Sequence, residues 1–142
     1  MGKVLNRIRL TNTVDRGRSL LGELAESAIR SESLDALVDT GATTLAIPKD
    51  LAERLGCRVT GTRQAKMADG RLHPVEIVTD LTIEILGREM ACDAFVLPVG
   101  APVLIGQIPL EGLDLVVDPR NREVRVNPEH PDAPVYELYT AG

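Results

Sequence analysis

The stretch Ala36-Leu37-Val38-Asp39-Thr40-Gly41-Ala42-Thr43 decides how the rest of the chain is read. An apolar run ends in an acid, and burying an unpaired carboxylate is costly, so structure alone gives no reason for Asp39 to stand there. Gly41 relieves crowding and lets backbone come close to a ligand. The hydroxyl of Thr40 can hold a loop through side-chain-to-backbone hydrogen bonds. Together these residues describe a carboxylate fixed on a tight turn at the end of a buried strand. Taken alone, the three residues favour an ordinary Asp-Thr-Gly turn, so the surrounding chain has to decide.

Upstream, Leu34–Val38 reads as the strand that runs into Asp39, and alternation over Asn6–Thr13 predicts an opening strand. Asp15-Arg16-Gly17 marks a turn. Ser19–Arg30 has apolar residues at helical spacing and is open to two readings, a short helix or a strand pair broken at Gly22. Downstream, Pro48 suits a first helical turn and Gly56 a C-terminal cap, so Ile47–Gly56 is expected to be helical. Beyond Arg58 the pattern turns to strands. Val59–Met67 and Leu72–Val78 flank Ala68-Asp69-Gly70-Arg71, where Asp-Gly suits a tight type I′ turn. Leu81–Leu86 and Glu89–Leu97 flank Gly87-Arg88, and Leu115–Val117 and Val124–Val126 flank Asp118–Asn121. Val103–Gly106 is a buried apolar strand ending at a glycine, followed by a helical turn or two over Pro109–Leu113. Many short strands with regular turn signals predict an all-β domain over residues 1–127. Pro128, Pro131 and Pro134 make residues 128–142 an extended tail, with a strand considered only for Val135–Tyr139.

The order of these features resembles the retropepsin-like aspartic proteases, the family of the retroviral proteases and small bacterial relatives. Two apolar residues followed by Asp39-Thr40-Gly41-Ala42-Thr43 are similar to its active-site loop. Val103-Leu104-Ile105-Gly106 followed by Gln107-Ile108-Pro109-Leu110 is similar to its second hallmark, an apolar-apolar-glycine strand that crosses beneath that loop and leads into a helix. The hairpin around Asp69-Gly70 falls where the family carries its substrate-covering flap. The resemblance covers Leu34 to Val126 and implies a single-lobe barrel with one or two short helices.

It also implies a mechanism. Aspartic proteolysis needs two carboxylates sharing a proton, one acting as base on a water and the other as acid toward the scissile carbonyl. This chain has one Asp-Thr-Gly, and Asp69, Asp80, Asp93, Asp114 and Asp118 lack its context. The expected arrangement is therefore a homodimer in which Asp39 of each copy meets the other at a two-fold axis. By the same resemblance Thr40 would lock the two loops together, and Gly41 and Ala42 would support them. Met67, Ala68, Asp69, Gly70, Arg71 and Leu72 would close over an extended peptide, and Leu104, Ile105 and Gly106 would hold the loop from below. Neither a metal nor an organic cofactor is expected. A dimeric peptide-binding module of the same fold without turnover is the alternative, and a plain β-barrel scaffold the third reading.

Composition narrows the field further. Sixteen basic against 21 acidic residues leave a net charge of −5, which speaks against nucleic acid or anionic membrane as partner. With Phe95, Tyr136 and Tyr139 as the only aromatics, the core has to be aliphatic. Cys57 and Cys92 show no metal-ligand spacing and read as idle thiols, and His73 and His130 as surface residues. No stretch approaches the roughly 18 apolar residues of a membrane helix. The N-terminus shows neither a secretory h-region nor a myristoylation signal, so a cytoplasmic protein is expected.

Overall fold

Alternation in the first strand sets the pattern of the main sheet. In β1 (Leu5–Asn12), Ile8 and Leu10 are buried while Arg7 and Arg9 remain exposed, the period of two that one buried face imposes. The computed structural model describes residues 3–138. After β1 come α1 (Thr13–Leu20), a 3-10 turn (Glu26–Ala28), β2 (Ser31–Val38), β3 (Leu45–Pro48) and α2 (Lys49–Arg54). The chain continues with β4 (Val59–Lys66), β5 (Leu72–Val78), β6 (Leu81–Ile85), β7 (Arg88–Ala91) and β8 (Ala94–Leu97). It closes with β9 (Leu104–Ile105), α3 (Gln107–Gly112), β10 (Leu115–Asp118) and β11 (Glu123–Val126).

Nine strands form one curled sheet in the order β4-β5-β8-β3-β9-β2-β1-β6-β7, and β10 and β11 pair separately. At 43% strand and 17% helix this is the expected all-β, single-lobe retropepsin-like fold. The strand order explains where the Asp-Thr-Gly segment sits. β9 lies between β2 and β3, parallel to β2 and antiparallel to β3. The chain therefore leaves β2, crosses the end of β9, and returns on its far side as β3. Residues 39–44 are that crossing.

The core contains Leu10, Leu45, Ile47, Leu81, Ile83, Ile85 and Ile105, all fully buried. Each contributes about 1.5–3 kcal/mol by leaving water. α2 adds Leu51 and α3 adds Leu110 to the same cluster. No helix among the described residues is long and apolar enough to cross a membrane.

Several local expectations are corrected. Ser19–Arg30 is neither a helix nor a strand pair: the helix lies earlier, over Thr13–Leu20, and absorbs the turn expected at Asp15–Gly17. Its start is set by Asn12, whose side chain accepts the Asp15 N–H at 2.9 Å, a cap that outweighs apolar periodicity. Leu20 and Leu21 accordingly stand 83% and 76% exposed. α2 is shorter than Ile47–Gly56, because Ile47 and Pro48 complete β3 and pair with Val96 and Leu97.

The Asp69-Gly70 turn is not type I′. Only Gly70 has positive φ, at 82°, with its N–H on the Met67 carbonyl and the Met67 N–H on the Arg71 carbonyl. That is a three-residue loop with a glycine bulge. The type I′ pattern occurs instead at Leu86-Gly87, with φ of 53° and 80°. Finally, Glu89–Leu97 is two strands: β7 pairs with β6, and after Cys92-Asp93 the chain crosses to pair β8 with β3 and β5. A strand considered for Val135–Tyr139 is not formed over Val135–Leu138, and Tyr139 lies outside the described residues.

Candidate active site

The crossing loop is fixed on every side by backbone bonds. Alternating N–H groups of β2 reach to its two neighbours: Leu37 donates to Val103 O, Val38 to Val4 O, and Asp39 to Ile105 O at 3.0 Å. Extended geometry thus continues through Asp39. The loop then turns back on itself, with Ala42 N–H on the Asp39 carbonyl at 3.0 Å. Gly41 N–H donates to Asp39 Oδ1, also at 3.0 Å. From below, the first amides of α3 complete the hold: Gln107 N–H donates to Ala42 O and Ile108 N–H to Thr43 O, both at 2.9 Å.

Gly106 links β9 to α3 directly beneath this loop. A β-carbon there would stand 2.5 Å from Thr44 O, 2.6 Å from Ala42 O and 2.7 Å from Thr44 N. These are backbone atoms of the crossing loop, and the Ala42 carbonyl already accepts the Gln107 N–H, so they have little room to retreat. Thr44 is in turn anchored, its hydroxyl donating to Asp93 O at 3.1 Å. Asp39 itself is half-buried, while Thr40 and Gly41 are exposed.

An apolar line crosses the face that carries Asp39. Strand register places Leu5, Leu37, Leu104, Ala46, Phe95 and Ile77 in one line across β1, β2, β9, β3, β8 and β5. None of the six belongs to the main core, which takes the alternate residues Ala36, Ile105, Leu45, Ala94 and Val78. Since Asp39 follows Leu37 by two positions in extended backbone, its carboxylate rises on the same face as this line. Leu104 thus lies in the line, Ile105 is in the core, and Gly106 is under the loop.

At one end of the line the β4–β5 hairpin leaves the sheet. Its residues become exposed beyond Ile77, with Met67 42% and Leu72 64% exposed at the tip. Ala68, Asp69, Gly70 and Arg71 form the exposed turn, and Asp69 Oδ1 accepts the Arg71 N–H at 2.9 Å. Where β5 diverges from β8, a cleft of about 480 Å³ opens between Lys49, Met67, His73, Glu76, Val96 and Leu97. Asp39 does not line it.

Several other ionisable groups are engaged elsewhere. Arg30 holds the buried Asp15 carboxyl down to about 2, and Arg125 holds Asp118 down to about 2. Arg58 lowers Asp80, and Asn127 with the Val135 N–H lowers Asp114. Burial pushes the Cys57 thiol up to about 11 and raises Cys92 as well, so neither is a primed nucleophile. Sequence reasoning missed Thr44 and the two amides at Gln107 and Ile108. The latter had a signal, a glycine followed at once by a helix start; the Thr44 anchor had none, because its partner Asp93 is remote in sequence.

Compared with known families, residues 25–121 match the family described as gag-polyprotein putative aspartyl protease. The match contains the crossing loop, the β4–β5 hairpin, β9 and α3. No curated protein matches the chain.

Proposed function

Because the chain belongs to the gag-polyprotein aspartyl protease family, a retropepsin-like family, we propose that it is an endopeptidase whose catalytic pair is Asp39 from each of two identical subunits. The observation that carries this reading is a half-buried carboxylate that accepts the Gly41 N–H, on a loop whose backbone is bonded to β9 and α3, on the same face as a continuous apolar line. One Asp39 accepts a proton from a water as it attacks the scissile carbonyl carbon. The other gives its proton to the carbonyl oxygen, and the tetrahedral intermediate collapses with proton transfer to the leaving amine. Two carboxylates so close titrate as a coupled pair, so one proton is retained at acid pH.

Five of the other aspartates are engaged away from Asp39, which supports the two-subunit reading. Asp15, Asp80 and Asp118 are tied to arginines, Asp114 to Asn127 and His130, and Asp69 to its own turn. The substrate is an extended peptide lying along the apolar line, with aliphatic or aromatic side chains over Leu37, Leu104 and Phe95, and with Met67–Leu72 closing above it. Thr40, exposed beside Asp39, is suited to contact its counterpart across the axis. The same reading places the enzyme in the cytoplasm, where Cys57 and Cys92 remain free thiols.

The test is cleavage of an unstructured polypeptide at several pH values, with Asp39→Asn as control. Activity that peaks in acid, falls per subunit on dilution and is absent from the variant is expected. Binding of the polypeptide without any cleavage would assign a peptide-binding module instead. Cleavage retained by purified Asp39→Asn would remove Asp39 from the mechanism.

A further inference from the structure

Beyond residue 121, where the family match ends, the chain folds back onto α3. The residue after Leu113 is Asp114, whose backbone is left-handed with φ of 55°, an unfavourable conformation for a residue with a β-carbon. Its carboxylate is fully occupied. Asn127 Nδ2 donates to Oδ1 at 3.0 Å, the His130 ring approaches Oδ2 at 2.6 Å, and Val135 N–H donates to Oδ2 at 3.1 Å. Arg88 of β7, only 7% exposed, donates to the carbonyls of Leu113 at 3.1 Å, Asp114 at 2.9 Å, and His130. Tyr136 completes the set, its hydroxyl donating to Gly112 O at 2.5 Å.

These bonds matter because of what α3 does at its other end. A helix of six residues (Gln107–Gly112) does not hold its own shape. Its first amides nevertheless fix the carbonyls of Ala42 and Thr43 in the Asp39 loop. Whatever secures the last turn therefore secures the first.

We infer that residues 127–136 are a strap that holds the catalytic loop through α3, with Asp114 and Arg88 as positioning residues where it fastens. The inference rests on Asp39 being the reacting carboxylate only for its effect on turnover; the mechanical link stands apart from it. Opening the strap frees the C-terminal turn of α3, loosens the Gln107 and Ile108 amides, and lets the Asp39 loop depart from its reactive geometry. Substrate contacts on the apolar line and the hairpin are untouched, so turnover falls while substrate binding is kept.

The experiment uses the full-length protein with Asp114→Gly, Asp114→Asn and Tyr136→Phe. Glycine suits the left-handed backbone, so Asp114→Gly removes the carboxylate without adding strain. Hydrogen exchange is followed at Gln107, Ile108 and residues 128–136, beside kcat and KM. Asp114→Gly should speed exchange at the strap and at Gln107 and Ile108 by about tenfold or more, as local opening becomes easier. It should lower kcat with KM changed less than about twofold. Asp114→Asn should recover part of both effects, and Tyr136→Phe should show the same pattern more weakly. Faster exchange in the strap with Gln107 and Ile108 unchanged would overturn the link. So would a strap that stays protected in both Asp114→Gly and Tyr136→Phe. If the wild type cleaves nothing, the protease reading fails, and exchange at Gln107 and Ile108 still decides the strap. Should Asp114→Gly fail to fold, Tyr136→Phe, which removes one hydroxyl, carries the same comparison.

Discussion

Gly106 sits so close under Thr44 that any β-carbon at position 106 would stand 2.5 Å from the Thr44 carbonyl oxygen. This contact explains why a glycine must follow the apolar pair Leu104-Ile105: β9 has to end directly beneath the loop that bridges β2 and β3. Gly106→Ala should cost about 3 kcal/mol, toward the high end for overpacking because backbone rather than side chain must move. Denaturant melts would measure it. A variant within about 0.5 kcal/mol of wild type would show that the loop is not braced from below.

Mixed subunits test the shared site. Wild-type protein titrated with excess Asp39→Asn should lose activity beyond simple dilution, since mixed dimers hold one competent acid. Activity proportional to wild-type subunits at every ratio would mean that each chain works alone.

The apolar line predicts specificity. Leu104 is only partly buried, so Leu104→Ser should leave melting temperature nearly unchanged. It should lower kcat/KM for a peptide with aliphatic side chains by about fivefold, the equivalent of roughly 1 kcal/mol of lost apolar contact. Peptide series with apolar and polar residues around the cleaved bond would read the effect. Equal loss on both series would argue against a contact with substrate side chains.

Gly70→Val addresses the hairpin. With φ of 82° and no heavy atom within 4 Å of a β-carbon, Gly70 is limited by backbone strain alone. Valine there should distort the tip at a local cost of about 1–3 kcal/mol. Global stability should change little, because the tip buries little. A fall in kcat/KM with an unaltered melting temperature is expected. The reverse pattern would make the hairpin a stability element.

Acid stability follows from the lowered carboxyls. Asp15 and Asp118 titrate at about 2 in the folded chain, below the roughly 3.9 of an unfolded aspartate. A depressed folded value contributes stability above the unfolded value and loses it as pH falls through the folded one. Asp80 and Asp114 are shifted the same way. The melting temperature should therefore hold from neutral pH to about 4 and decline between about 4 and 2. Asp15→Asn should cost about 2 kcal/mol at neutral pH, less than a fully buried pair because Arg30 is half exposed. It should also flatten part of the acid decline. A steep loss between pH 7 and 5 would contradict this account.

The sequence by itself determined the class of fold and the shape of the loop. An apolar run ending in Asp39-Thr40-Gly41, and a second ending in Gly106, are local patterns whose chemistry is carried by adjacent residues, so both were legible. So were the strands of the β4–β5 hairpin, since Gly70 marks its turn wherever the hairpin lies. Only the tertiary structure decided what depends on remote partners. The first helix starts at Thr13 because Asn12 caps it and Arg30 reaches back to Asp15, which outweighs the apolar spacing downstream. Glu89–Leu97 splits because β8 is claimed by β3 and β5. The line from Leu5 to Ile77 exists only once six strands from across the chain fall into register. Local steric and capping preferences act over a few residues and can be read in order, whereas cross-strand pairing and buried ion pairs depend on distances that only the folded chain sets.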